Sequence, residues 1–134
     1  MKKIISIDYD GTIVKQTASI DDTNFELLPN AKEVIQWIHE NFYTILWTCR
    51  DGLYLQSAVD FLSLQGLQFH SINQNIPGLS FKTSAKVYAD CYLDNNNYGA
   101  DIDWLEIKNC LTKKFLTKTD EDLIGDVVIA VIGE

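Results

Sequence analysis

The sequence alternates short apolar runs rich in β-branched residues with stretches whose apolar residues recur at helical spacing. The first run, residues 3–8, reads Lys-Ile-Ile-Ser-Ile-Asp and is typical of a strand buried on both faces. Pro29 then opens a helical pattern, because proline is tolerated in the first turn of a helix. The apolar residues of this pattern share one predicted face: Ala31, Val34, Ile35 and Ile38.

The same alternation continues along most of the chain, with further strands predicted at 43–48, 67–72, 87–93 and 127–132. Further helices are predicted at 55–65 and 104–116. Strands that alternate with helices predict βαβ units, a parallel sheet and right-handed crossovers. A length of 134 residues is typical of one domain. We therefore predict a single α/β domain, residues 1–134, with a three-layer, Rossmann-like sheet flanked by helices, and leave the role of residues 113–134 open.

The composition excludes several classes of partner. The chain has 11 Lys and Arg against 19 Asp and Glu, a net charge of −8, whereas non-specific nucleic-acid binding needs clustered cations. No apolar run approaches the ~20 residues that cross a bilayer, and a carboxylate as early as Asp8 argues against a signal peptide. The cysteines, at positions 49, 91 and 110, lack paired spacing. We expect a reduced, cytoplasmic protein with no membrane partner. The acidic composition disfavours nucleic acid as a partner, although sugar phosphates, nucleotides and phosphorylated polynucleotide ends all stay open as substrates.

The first predicted strand ends in the sequence Asp8-Tyr9-Asp10-Gly11-Thr12. Ligands of open parallel sheets gather at the carboxyl ends of the strands. Residues two apart in an extended segment point the same way, so the Asp8 and Asp10 carboxylates can converge. Nearby carboxylates repel unless a proton or cation lies between them, and Mg²⁺ prefers such oxygen ligands. The alternative is an ordinary Asx-rich turn at a strand end.

Three further polar residues border later predicted strands: Thr48 and Asp94 lie where a strand ends, and Lys86 lies just before one begins. Each one alone is more often structural, because Thr bonds to backbone, Lys is usually solvated and Asp begins turns. Their order and placement together favour a functional site.

This set of residues resembles the four motifs of the haloacid dehalogenase (HAD) superfamily. The matching positions are Asp8-x-Asp10-Gly-Thr12, Thr48 after an apolar strand, Lys86 and Asp94. The motifs span residues 8–95, and the first of them is the most specific. The resemblance implies a HAD-like fold and a Mg²⁺ cofactor.

The resemblance also implies a role for each matching residue. Asp8 corresponds to the phosphoryl-accepting nucleophile, and Asp10 to the general acid/base, whose backbone carbonyl also binds the metal. Thr48 and Lys86 correspond to the residues that bind the phosphoryl oxygens. The family's last acidic motif completes the metal site.

That last motif has two candidates, Asp90 and Asp94. Four residues of extended strand separate their positions by about 13 Å. If the strand covers 87–93, Asp94 lies at its carboxyl end beside Asp8, so the predicted metal ligands are Asp8, Asp10 and Asp94, while Asp90 bonds to backbone or a neighbouring Lys. Many relatives carry a second acid at the next position. Here it is Asn95, which removes one negative charge from the metal's surroundings.

Thr12, Arg50 and Asn73 are the predicted substrate-contacting residues. Arg50 follows Thr48 by two residues, and its guanidinium could bind a phosphate or pair with Asp51 on the surface. The segments between the motifs are too short for a cap domain, and the loops 13–28 and 73–83 are the predicted substrate-contacting segments. Without a cap, either a larger substrate with an exposed phosphate reaches an open site or a second subunit covers it, as in a homo-oligomer.

These features predict a Mg²⁺-dependent hydrolase that cleaves phosphomonoesters through an aspartyl-phosphate. One alternative is a receiver-like domain that is phosphorylated. It is less favoured, because the third predicted strand ends near His70-Ser71-Ile72-Asn73 without an Asp. Another alternative is a catalytically silent HAD-fold binding module. The replacement of the second acid by Asn95 leaves this alternative open.

Overall fold

The computed structural model describes residues 1–98 and 101–116. The chain divides into two compact units, Met1–Trp104 and Leu105–Glu134. The single domain expected for residues 1–134 stays a prediction, and the strand predicted at 127–132 lies outside the described residues.

The first unit is built around a four-stranded parallel sheet. Its strands are β1 (Ile4–Ile7), β2 (Tyr43–Leu46), β3 (Ser71–Ile72) and β4 (Cys91–Leu93). Their spatial order is β3-β2-β1-β4, so β1 is an inner strand. Ile7 pairs with Leu46 and with Leu93, which places the carboxyl ends of β1, β2 and β4 at one level. The α/β class and the parallel sheet are confirmed.

Two strands are shorter than predicted, because the backbone N–H groups of residues next to them bond outside the sheet. Leu67 is buried, but its N–H donates to Leu62 O, in the turn that ends the preceding helix. Near β4, the Tyr88 N–H donates to Asn75 Oδ1 and the Ala89 N–H to the Tyr92 hydroxyl. The apolar runs at 67–72 and 87–93 therefore predicted strands that are longer than β3 and β4.

Helix α1 (Ala31–Asn41) buries the four residues predicted for its apolar face. Helix α2 (Gly52–Leu64) begins before the predicted residue 55, since Leu53 and Tyr54 are exposed and lie outside the apolar stripe. The connections β1–α1–β2 and β2–α2–β3 step in the same direction across the sheet. Right-handed crossovers therefore place both helices on one face.

The other face of the sheet is covered by an irregular segment. Ile4 and Ile45 pack there with Ile76, Val87 and Ala89 in one buried cluster. This segment, residues 73–90, contains no helix. The parallel sheet flanked by helices is confirmed, and its HAD-like character stays a prediction.

Helix α3 (Trp104–Leu111) is followed by a π-helical turn, Thr112–Leu116, where one helix over 104–116 was predicted. Within the described part of the chain, no helix is long and apolar enough to cross a membrane. Within the described residues, none of the three cysteines forms a disulfide.

A stacked pair of histidines lies at the amino end of β2. The His39 and His70 rings are 4.1 Å apart and nearly parallel. The buried Thr44 N–H donates to His70 Nδ1 at 3.0 Å, so this nitrogen carries a lone pair and the contact requires neutral His70. Partial burial, then His39, then Lys2 lower the pKa of His70.

We predict that this pair makes the fold sensitive to mild acid. The pKa of His70 is lower in the folded chain than the usual 6.5, so the unfolded chain binds more protons as the pH falls through that value. The His70 contribution is therefore complete above that pH and is lost below it. Urea denaturation at pH 7.5 and pH 5.0 should show a smaller loss of unfolding free energy for His70→Gln than for the wild type. Equal losses in both proteins would contradict the assignment.

Candidate active site

Asp8 follows β1 directly and lies half-buried at the carboxyl edge of the sheet. Its N–H donates to Leu93 O at 2.9 Å, which continues the pairing with β4 and brings Asp94 alongside. Burial first, and the negative charge of Asp94 second, raise the pKa of the Asp8 carboxyl from 3.8 to about 6. Asp8 is therefore mostly ionised at pH 7, but at a cost in free energy.

A tight turn follows Asp8, in which the N–H groups of Thr12 and Ile13 donate to Tyr9 O. Gly11 in this turn has φ of +79°, a conformation that L side chains rarely adopt. A Cβ at Gly11 would also lie 2.9 Å from Asn95 Cγ. The missing side chain thus lets Asn95 pack against the turn.

Asn95 binds the oxygens around Asp8. We assign its side-chain nitrogen to face Asp8 and Asp10, because the opposite orientation would set the amide oxygen against acceptors. The nitrogen then donates to Asp10 O at 3.0 Å and to Asp8 Oδ2 at 3.1 Å. Two oxygens from different residues therefore face one point.

Thr12 supports Asp8 from within the protein. It is fully buried. Its hydroxyl donates to Asp8 Oδ2 at 3.2 Å and accepts from the backbone N–H of Asn95 at 3.0 Å. Its carbonyl accepts from Trp104 Nε1 at 2.9 Å. These contacts make Thr12 a positioning residue for Asp8, where the sequence had suggested a substrate contact.

The Asp10 carboxylate faces away from this point and pairs with Arg50. Arg50 Nε and Nη2 donate to the two Asp10 oxygens, each at 2.8 Å. The Arg50 side chain is only 3% exposed, its pKa is raised by the hydrogen bond to Asp10, and it lies over the Tyr9 and Phe25 rings. The Arg50 guanidinium thus pairs with Asp10 rather than with Asp51, and its contact with a phosphate stays a prediction. The Asp10 charge still contributes to the raised pKa of Asp8.

Thr48 and Asn73 come together at the same edge of the sheet. The Thr48 N–H donates to Asn73 Oδ1 at 2.9 Å, and the Thr48 hydroxyl accepts from the Arg50 N–H at 3.1 Å. Asn73 has a left-handed backbone, with φ of 53°, and its N–H donates to Leu46 O. Its amide holds the Thr48 backbone in place, a role that the sequence did not reveal.

Lys86 is exposed, and its ammonium lies 4.9 Å from the centroid of the Tyr92 ring. In the described part of the chain, no hydrogen bond or ion pair joins it to Asp8 or Thr48. Tyr92 pairs in register with Ser6, so its side chain lies on the sheet face shared by Ser6 and Asp8.

Asp90 lies at the opposite end of β1 from Asp8. Its carboxylate accepts from the Ile4 N–H at 2.8 Å, as the prediction of a backbone partner required. Of the two candidates for the last acidic motif, Asp94 is thus the one beside Asp8.

This chain is similar to solved structures of other proteins. A solved structure, that of a conserved protein from Bacteroides thetaiotaomicron, is similar with 30% identity, a TM-score of 0.73 and coverage of 92% of this chain and 98% of that chain. A chain of the Pnkp1/Rnl/Hen1 RNA repair complex aligns with 15% identity over 84% of this chain and 32% of that chain, and its TM-score of 0.45 is too low to support an inference. No protein-family model and no curated protein matches. The identity and coverage of the first match show that the chain belongs to the same family as the conserved Bacteroides thetaiotaomicron protein.

Proposed function

We propose that the protein is a Mg²⁺-dependent, HAD-type phosphatase that hydrolyses a phosphomonoester through an aspartyl-phosphate on Asp8. The observation that carries the proposal is the Asp8 carboxylate, half-buried at the carboxyl end of an inner parallel strand beside Asp94, with its pKa raised to about 6. Two neighbouring carboxylates in this position are costly unless they serve a cation. The order of the sequence motifs supports the same conclusion.

The oxygen atoms at this edge fit the chemistry of Mg²⁺, which prefers hard oxygen ligands. The Asp8 and Asp94 carboxylates and the Asp10 carbonyl would hold the ion. When bound, it would offset negative charge on the phosphoryl oxygens.

In the proposed reaction, an Asp8 oxygen forms a bond to phosphorus as the bond to the leaving oxygen breaks. The leaving oxygen takes a proton from Asp10. Asp10 then takes a proton from the water that attacks phosphorus, which releases phosphate and restores the Asp8 carboxylate. The Thr48 hydroxyl and Lys86 would bind the equatorial oxygens. The exposed Lys86 ammonium can leave the Tyr92 ring at low cost, since an exposed cation–π contact contributes only about 0.5–1 kcal/mol.

The ion pair between Asp10 and Arg50 constrains this reaction. Both Asp10 oxygens accept from the guanidinium, so one of them has to be released before it can transfer a proton. This pair favours a second candidate function, in which the site binds phosphate groups without hydrolysing them. The two candidates differ in whether any phosphate ester is turned over.

The proposed substrate is a small molecule or an exposed phosphate ester that enters without a cap. The loop 13–28 packs against α2. Phe25 packs edge-on against Phe61, with ring centroids 5.4 Å apart, and the Tyr54 hydroxyl donates to the Asp21 carboxylate. An open site of this kind admits substrates of varied size.

The nucleophile is tested by Asp8→Asn with p-nitrophenyl phosphate as substrate. The wild type should hydrolyse the ester with added Mg²⁺, lose activity on chelation and regain it with Mg²⁺, while the variant should be inactive at every Mg²⁺ concentration. Hydrolysis by the variant at the wild-type rate would contradict the mechanism. No turnover of a broad panel of phosphate esters by the wild type would favour the binding module.

The same variant should be more stable than the wild type at neutral pH. The folded pKa of Asp8, about 6, exceeds its usual 3.8, so its charge destabilises the fold as the pH rises between those values. After allowance for solvent screening, Asp8→Asn should gain about 1–2 kcal/mol at pH 7 and little at pH 4. Denaturation at the two pH values measures this, and it separates loss of chemistry from loss of fold.

The ion pair is tested by a double-mutant cycle of Arg50→Met and Asp10→Asn. Arg50→Met leaves the mostly buried Asp10 carboxylate without its partner. In the pair, the Arg50 side chain is 3% exposed and the Asp10 side chain is 25% exposed. We expect a coupling free energy of about 2 kcal/mol from chemical denaturation. Additive effects would show that the pair does not act as a unit. The matched control is the exposed Lys15–Glu26 pair, which should couple by less than about 1 kcal/mol.

A further inference from the structure

The Asn95 amide contacts the same oxygens that the proposed cation would use. Its nitrogen lies 3.0 Å from Asp10 O and 3.1 Å from Asp8 Oδ2. The positive end of the amide dipole therefore partly satisfies these oxygens, as a bound cation would do more fully.

We propose that Asn95 competes with the divalent cation for Asp8 and the Asp10 carbonyl, and thereby sets the cation affinity of the site. The inference rests on the Mg²⁺ site of the proposed function, and goes beyond it by giving a role to the residue that departs from the family's acidic motif. Cation binding has to weaken or replace the two amide hydrogen bonds, and this cost lowers the affinity.

The surroundings hold Asn95 in this position from two sides. Its backbone N–H donates to the Thr12 hydroxyl at 3.0 Å, and its side chain packs where a Cβ on Gly11 would otherwise lie. An exposed Asn without these contacts would sample several rotamers and compete weakly.

The proposal also explains why an amide suits this position. Asp8 and Asp94 follow paired residues of β1 and β4, so their negative charges lie side by side and repel each other. A third carboxylate at position 95 would add to this repulsion, and only a bound cation would relieve it. Asn95 therefore makes the fold less dependent on the cation and makes cation binding weaker.

The experiment compares Asn95→Asp with the wild type by Mg²⁺ titration calorimetry and by thermal unfolding, neither of which needs activity. Asn95→Asp should bind Mg²⁺ at least about tenfold more tightly. With chelator it should unfold at a lower temperature than the wild type. The matched control is Asn96→Asp, which adds the same charge at the exposed neighbouring residue and should stay within about threefold of the wild-type affinity.

Asn95→Ala separates competition from assistance, because it removes the donors without adding charge. It should bind Mg²⁺ more tightly than the wild type, and weaker binding would overturn the proposal by showing that Asn95 helps to hold the ion. If Asn95→Asp does not fold in chelator, this second variant decides the question.

The outcomes also separate this inference from the proposed function. The inference is overturned if Asn95→Asp binds Mg²⁺ with the wild-type affinity, or if Asn96→Asp raises the affinity as much as Asn95→Asp does. Either result leaves the Mg²⁺ site of the proposed function intact. An absence of Mg²⁺ binding to the wild type and to both Asn95 variants overturns the site and the inference together.

Discussion

The parallel pairing of β1 with β4 is the interaction on which the rest of the site depends. It ends both strands at one level, so Asp8 and Asp94 lie side by side at the edge of the sheet. Their repulsion and the burial of Asp8 raise the free energy of the ionised site. Thr12 and Asn95 offset part of this cost by donating hydrogen bonds to Asp8. A divalent cation would offset more of it, which ties the proposed chemistry to the fold.

The sequence predicted those features that depend on local periodicity. The buried run of β1, the apolar stripe of α1 and the placement of Asp94 at a strand end all follow from spacings of two or about four residues. The same reasoning located Asp90 at the far end of β1, where its carboxylate bonds to Ile4. It overextended β3 and β4, because apolar residues in irregular segments can be as buried as those in strands.

Contacts between distant parts of the chain were beyond such reasoning. Asp10 meets Arg50 across two loops, and Asn73 meets Thr48 from the end of another strand. No local spacing encodes either pair, since each depends on how neighbouring strands are placed. Arg50 was still detectable as a cation near the site, but its partner was not. The positive φ of Asn73 likewise became visible only in the structure.

Gly11 links the backbone of the first motif to the side chain that lies across from it. Its positive φ alone disfavours other residues by about 1–3 kcal/mol, and its close approach to Asn95 adds a second, steric restriction. Relief of the steric restriction would require a smaller residue at position 95, which would also remove the donor to Asp8. Positions 11 and 95 therefore form one unit of substitution, in which the shape of the turn and the charge balance of the site change together.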